Sequence, residues 1–364
     1  MVCCRIDPSS ESACARQPLV SVVMPVLNGS SSRLSRAIAS VLDQTYRRVE
    51  LVIVDDGSEP GIAALLDEVA AAQERVRVLH QPNRGVSRAR NRGLDLVGGT
   101  YVGFLDADDS LPPDFVEAAV GLAEHYRLDV VFGAMEIRNV HGDSRWRAPR
   151  FGGAGFDVLD SERIAALRAA ALSSSPDPAR DVPVGTATNV VGALYRASLL
   201  DQVRFVPGVA HGEDRLFNVD VLARSQRVGF SSSVWYVYDR TAQSGVTQRL
   251  GVATALALAT TMDAFAGAGG LVRVAGPAGD TAVRDAAARG VLNYLKAALR
   301  ILATDGQVGN RRIVAELVAL GSVRAAAATA RGLAPADRAI ALLVRLRATS
   351  LLYALAVLRS RRVA

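Results

Sequence analysis

Residues Glu50–Ser58 read ELVIVDDGS, and the fold is decided there. Five residues, apolar after the first, run straight into two aspartates, a glycine and a serine. A strand apolar on both faces is one covered on both faces, as in a parallel sheet, and Asp-Gly-Ser is turn chemistry. The same grammar recurs in YVGFLDADD at Tyr101–Asp109, and LVSVVMPV at Leu19–Val26 is closed by Asn28-Gly29. Val76–His80 is a further short strand signal.

Between these strands lie helical apolar spacings over Leu34–Leu42, Ile62–Ala72 and Ser87–Leu96. Pro112-Pro113 then open a helix running to about His125, since proline suits a first helical turn. This alternation predicts an α/β fold with a mostly parallel sheet flanked by helices. Ligands of such sheets bind beyond the carboxyl ends of the strands, which is where the Asp clusters fall.

Further along, strands are expected at Val130–Met135, Asn189–Tyr195 and Val234–Tyr238, with helices at Ser161–Leu172 and Gly212–Ala223. Arg147–Gly155 and Ser173–Pro183 read as loops. After that the pattern is helical, over Ala253–Ala266, Ala282–Ala303, Ile313–Ala330 and Asp337–Leu358, with a Gly-rich linker at Gly267–Asp280. The expected organisation is a disordered tail over 1–18, an α/β domain over 19–250 and a C-terminal α-helical appendage over 251–364.

The composition of the 364 residues fits this plan. Half are hydrophobic and 21% are charged, which supports a large core and excludes wholesale disorder. Cys3, Cys4 and Cys14 all lie in the first fourteen residues, so no cysteine framework or cluster is expected in the body. Met1–Pro18 has no charged stretch followed by an apolar core, so it does not read as a secretory signal. No run of about 18 uncharged apolar residues predicts a membrane span. A cytoplasmic location is expected.

The chemistry lies in four clusters. Asp106-Ala107-Asp108-Asp109 packs three carboxylates into four residues, and such crowding calls for a counter-charge, such as a divalent cation with hard oxygen ligands. A solvated turn capping the next helix is the other reading. Asp55-Asp56-Gly57-Ser58 could accept hydrogen bonds from a ribose or a base, or be only an Asp-Gly turn. Asn83–Gly93 (NRGVSRARNRG) puts arginines at a helix start, which suits a phosphate or an exposed basic helix. His211-Gly212-Glu213-Asp214 opens a helix, where a carboxylate could serve as general base or simply favour the helix N-terminus. His211 reads as a wall residue rather than a metal ligand. No GxGxxG fingerprint and no GxxxxGK[ST] loop occurs.

In this order, the segments VSVVMPVLNG, VLDQTYRRVELVIVDDGS, NRGVSRARNRGL, YVGFLDADD and HGEDRLF resemble glycosyltransferase family 2. The resemblance covers about Leu19–Gln248. It implies a Rossmann-like GT-A fold and an inverting transfer from a nucleotide-sugar, a UDP-sugar above all, to a saccharide or lipid-linked hydroxyl acceptor. Bacterial members often build surface polysaccharides, glycolipids or cell-wall glycopolymers. By position it implies that Asp56 meets the base, with Asp55 beside it and Pro25 lining the same pocket through its backbone. Asp106 and Asp108 match the family's DXD motif, for Mn²⁺ or Mg²⁺ and the ribose, Arg90 lies in the donor-side helix, and Asp214 matches the catalytic base. Tyr236–Arg240 (YVYDR) resembles a motif in which arginine directly follows the second tyrosine. Here Asp239 intervenes, which leaves the role of Arg240 in doubt.

Two rival functions share parts of this pattern. A nucleotidyltransferase would share the α/β fold and Asp-bound metal, but Leu27–Arg33 lacks the Gly-rich basic loop expected after its first strand. A basic nucleic-acid-binding protein would suit the net charge of +6, but aromatics are 5% and no nucleic-acid motif occurs, so no nucleic-acid partner is expected. The surplus is moreover local. Residues 338–364 hold six arginines and no acid, and the rest of the chain balances 36 basic against 36 acidic side chains. That segment reads either as a basic, apolar helix at an anionic membrane, peripheral at the inner face, or as a helix packed on its neighbours.

Overall fold

The computed structural model describes residues 17–139, 142–146, 155–173, 187–209, 211–240, 252–267, 280–305 and 310–360. The cysteine-bearing tail, the Gly-rich linker and most of both long loops expected from the sequence lie outside them.

The elements run β1 (Val20–Val26), α1 (Ser31–Leu42), β2 (Val49–Asp55), α2 (Pro60–Ala72), β3 (Val76–His80), α3 (Val86–Leu94), β4 (Tyr101–Phe104), α4 (Phe115–His125), β5 (Val130–Asn139), β6 (Gly142–Trp146), β7 (Phe156–Leu159), α5 (Ser161–Ser173), β8 (Ala193–Arg196), α6 (Ala197–Leu200), α7 (Glu213–Arg224) and β9 (Val228–Arg240). Among the described residues six helices follow: α8 (Val252–Gly267), α9 (Asp280–Asp305), α10 (Asn310–Ala319), α11 (Gly321–Thr329), α12 (Pro335–Arg345) and α13 (Thr349–Ser360).

The strands form one mixed sheet, in the order β3-β2-β1-β4-β8-β5-β9-β7, with β6 paired to β5. The parallel part expected from the sequence is β3-β2-β1-β4. Leu51, Val52, Ile53 and Val54 are wholly buried there, each contributing about 1.5–3 kcal/mol by leaving water. Beyond β4 the sheet turns antiparallel through β8 and returns to parallel between β5 and β9. The chain leaves β1 toward β2 and β3 and comes back to add β4 on the other side, so the topological switch point lies between β1 and β4. Pairing of β1 with β4 ends at Val23–Phe104. Pro25 therefore sits past the last rung, where its missing N–H costs no ladder bond.

The α/β and helical parts divide differently from the boundary expected near residue 250. One compact unit takes the described residues up to 159, with 190–204 and 225–240. The other takes 160–189, 205–224 and the residues after 241. The reason is apolar packing. Ala171 and Leu172 of α5 and Leu216 and Val219 of α7 bury in one core with Met262, Phe265, Val291 and Leu295 of α8 and α9. Within that unit the helix expected over Ala282–Ala303 is continuous as α9, whereas those expected over Ile313–Ala330 and Asp337–Leu358 are each broken once. Leu320 is extended (φ −54°, ψ 134°) and separates α10 from α11. Arg347 is left-handed (φ 53°) and ends the turn after α12. No described helix is long and apolar enough to cross a membrane.

Candidate active site

The site is built on the carboxyl ends of β2 and β4. At the end of β2, Gly57 takes φ 85°, and a Cβ there would meet the Asn83 backbone nitrogen at 2.8 Å, so only glycine serves. The turn is locked to the loop after β1: the Asn28 N–H donates to Ser58 Oγ at 2.9 Å, and the Glu59 N–H donates to Asn28 Oδ1 at 2.7 Å.

Asp55 and Asp56 point to different partners. Asp55 Oδ1 accepts from the Ser58 N–H at 2.9 Å, and Oδ2 lies 2.7 Å from His80 Nδ1. Burial pushes its carboxyl up, but the Ser58 and His80 hydrogen bonds outweigh that and hold it below the usual range. His80, placed between Asp55 and Asp67, is raised, chiefly by its hydrogen bond to Asp55. Asp56 is 2% exposed and anchors the loop before α3. Its Oδ1 accepts from Gln81 Nε2 at 2.7 Å and from the Arg84 N–H at 2.8 Å, and its Oδ2 accepts from the Gly85 N–H at 2.7 Å. Two of the three donors are backbone amides at the start of α3. One carboxylate thus fixes both a strand end and a helix entrance.

At the end of β4, buried Arg90 reaches from α3 and donates through Nη2 to Asp106 Oδ1 at 2.9 Å. Burial, and then the Asp106 charge, push the Asp108 carboxyl up. Asp109 turns inward. It is 1% exposed, accepts from the Tyr236 hydroxyl at 2.5 Å and from the Asp239 N–H at 2.9 Å, and is pushed up to about 8 by burial and by Asp106. The Tyr236 hydroxyl also accepts from the Asp106 N–H at 3.3 Å. Asp239 in turn pairs with Arg36 Nη2 at 2.5 Å, and Arg36 donates to the Asp108 carbonyl at 3.3 Å. Ser110 and Val237 exchange backbone hydrogen bonds at 3.2 and 2.9 Å. The acidic turn is therefore clamped from β9 and α1.

The sequence does not point to Arg36, and it marks Tyr236 only as part of the YVYDR motif, with Asp239 an intruder there. The intruder has a place, since its carboxylate takes Arg36 and its N–H takes Asp109. The Arg240 guanidinium lies over the Tyr238 ring at 4.9 Å, away from this clamp. The YVYDR spacing held the signal, because alternation along a strand puts Tyr236 and Tyr238 on one face.

The residues fit a divalent cation in one respect. Burial first, and then the neighbouring Asp106 charge, raise Asp108, and a cation would offset the crowding of the two carboxylates. Among the described residues no group of three or more His, Cys, Asp or Glu side chains could hold a metal, so further oxygens would come from a diphosphate and water.

Asp214 belongs to the helical unit and is described there. It is the second residue of α7, half-buried, after Gly212 at φ 88°. A Cβ on Gly212 would run into the Tyr294 hydroxyl and meet Phe265 at 3.2 Å, so the entrance to α7 is fitted tightly against α8 and α9. His211 is half-buried before it. The structure thus brings Asp55, Asp56, Arg90, Asp106 and Asp108 together in one unit, with Pro25 at the end of β1, and places Asp214 in the other.

Residues 21–185 match the family model described as glycosyl transferase family 2. The chain is 29% identical over 228 residues to glycosyltransferase GlyA of Streptococcus pneumoniae serotype 4, covering 60% of this chain and 30% of that protein. It is 27% identical over 231 residues to the uncharacterized glycosyltransferase EpsJ of Bacillus subtilis, covering 61% of each. The match thus spans less than two thirds of either relative. Among solved structures, S. aureus TarS 1–349 in complex with UDP superposes with a TM-score of 0.65 at 14% identity, over 95% of this chain and 92% of that one, which is a likeness of fold. Residues 21–185, with the switch-point aspartates at their strand ends, thus carry a glycosyl transferase family 2 domain.

Proposed function

We propose that the protein is an inverting glycosyltransferase that moves a sugar from a nucleoside-diphosphate sugar, a UDP-sugar first, to a hydroxyl of a saccharide or lipid-linked acceptor in bacterial polysaccharide synthesis. The observation that carries this reading is the pair of anchored acidic turns beside the switch point, Asp56 on the entrance to α3 and Asp106 on Arg90. The family match and the UDP and UDP-GlcNAc complexes of TarS, a neighbour in fold, support the donor class.

In this reading Asp56 and the backbone after β1 around Pro25 shape the base and ribose pocket. Arg90 acts through Asp106 and fixes its carboxylate. Asp106 and Asp108 would hold Mn²⁺ or Mg²⁺, which when bound offsets the charge of the departing diphosphate. Asp214 takes the proton of the acceptor hydroxyl as its oxygen attacks the anomeric carbon from the face opposite the leaving group, so the configuration inverts.

The test is a nucleotide-sugar panel scored by thermal shift with and without Mn²⁺, followed by turnover assays. Asp214→Asn is expected to keep the donor-induced shift and lose transfer by a factor of at least about 10². Full transfer by that variant would remove Asp214 from the base role. Release of pyrophosphate instead of a nucleoside diphosphate would overturn the reaction class.

A further inference from the structure

The geometry points to a docking surface for an anionic lipid bilayer on the helical unit, formed by the outer face of α12 and α13 with Arg324 of α11. On α12, Arg338, Leu342 and Arg345 recur at helical spacing and are exposed, while Ile340, Ala341 and Val344 on the opposite side are buried in the unit's core. Past the end of the helix, exposed Leu346 and Arg347 continue the outer face, and the left-handed backbone of Arg347 turns the chain into α13. On α13, Leu351, Ala354 and Leu358 form an exposed stripe, and Leu352 and Ala356 bury behind it.

Two observations name the partner. The first is the exposed apolar set. Leu342, Leu346, Leu351 and Leu358 are 52–66% exposed, and they are half of the large hydrophobic side chains exposed among the described residues. Surface leucines scattered singly need no explanation, but four within seventeen residues on one helical pair do. The second is charge. Arg324, Arg345 and Arg347 line one cavity of about 590 Å³ with Val344 in its wall. None of the three guanidinium groups has a hydrogen bond or ion pair with another described residue. From Arg338 onward the sequence adds six arginines and no acid. Guanidinium groups beside projecting leucines match a phospholipid surface. The leucines reach the acyl boundary, the arginine stems lie along apolar surface with their heads among the phosphates, and the arginines of the cavity offer charge-assisted donors to lipid phosphates. A soluble polyanion would use the arginines and leave the leucines in water.

The full chain is to be co-sedimented with vesicles of phosphatidylcholine alone and of phosphatidylcholine with phosphatidylglycerol. Binding is expected only to the anionic vesicles. The triple change R324Q/R345Q/R347Q removes three surface charges at about fivefold each, so partitioning should fall on the order of a hundredfold. L346S/L351S should also weaken it, while salt alone weakens it only in part. Both variants change exposed side chains and should keep the wild-type donor-induced thermal shift, which separates this proposal from the donor reading. Equal binding to neutral vesicles, or retention by both variants, would overturn it. So would full displacement from vesicles by inorganic phosphate, which would make the cavity a site for free phosphate. A concentration-dependent dimer in sedimentation velocity that both variants break, without vesicle binding, would assign the face to a second copy and equally overturn it.

Discussion

At the residue scale the most consequential atom that sequence reading passed over is the Tyr236 hydroxyl. It donates to buried Asp109 and accepts from the Asp106 N–H, so it joins the acidic turn to β9. A buried carboxyl that loses a donor bears its full desolvation cost. Tyr236→Phe is therefore expected to lower stability by about 1–3 kcal/mol and to weaken donor binding, since Asp106 loses a backbone tether. Urea unfolding and calorimetric titration with the donor check the two effects. An unchanged unfolding midpoint would mean that the hydroxyl does not hold the turn. Asp55 and Asp56 carry the same lesson. Both stand in one short motif, yet Asp55 is spent on the turn and His80, whereas Asp56 grips the amides that open α3.

At the element scale, helix ends decide which parts are rigid. α4 ends with the Leu128 N–H on the Ala123 carbonyl at 2.8 Å and the Arg127 N–H on the Glu124 carbonyl at 3.3 Å, the paired bonds of a left-handed helix stop. The left-handed residue is Arg127, at φ 52° and exposed. Glycine avoids the Cβ strain of that conformation, which costs roughly 1–2 kcal/mol, but it loosens the unfolded chain, which returns part of the gain. Arg127→Gly is expected to stabilise the protein by about 0.5–1 kcal/mol, read as a raised denaturation midpoint with unchanged activity. The strands were easier to read than the helix ends, because β1, β2 and β4 are short, apolar on both faces and closed by local turn residues. The breaks at Leu320 and Arg347 lie inside continuous apolar periodicity, so composition alone did not mark them.

At the scale of the whole molecule, the chain passes back and forth between its two units. α5 and α7 are flanked in sequence by strands, yet their apolar sides bury with helices that come after residue 250. A chain ending at residue 250 would expose Ala171, Leu172, Leu216 and Val219 together. Such a truncation is expected to aggregate or to lose its cooperative thermal transition, measured by size-exclusion chromatography and calorimetry. A monomeric, cooperatively melting fragment would show instead that α5 and α7 hold without the C-terminal helices.

What the sequence determined by itself was local. The parallel strands, the aspartates at their ends and the family resemblance are all set by residues within a few positions of one another, where turn chemistry and side-chain alternation act directly. What only the tertiary structure decided was long-range. Arg36 meets Asp239 across 203 residues and Tyr236 meets Asp109 across 127, and α7 with Asp214 joined the helical unit rather than the sheet. The physical reason is that burial and desolvation select partners by proximity in space. A carboxylate taken out of water needs a donor, and an apolar helix face needs cover, from whichever part of the chain the fold brings close.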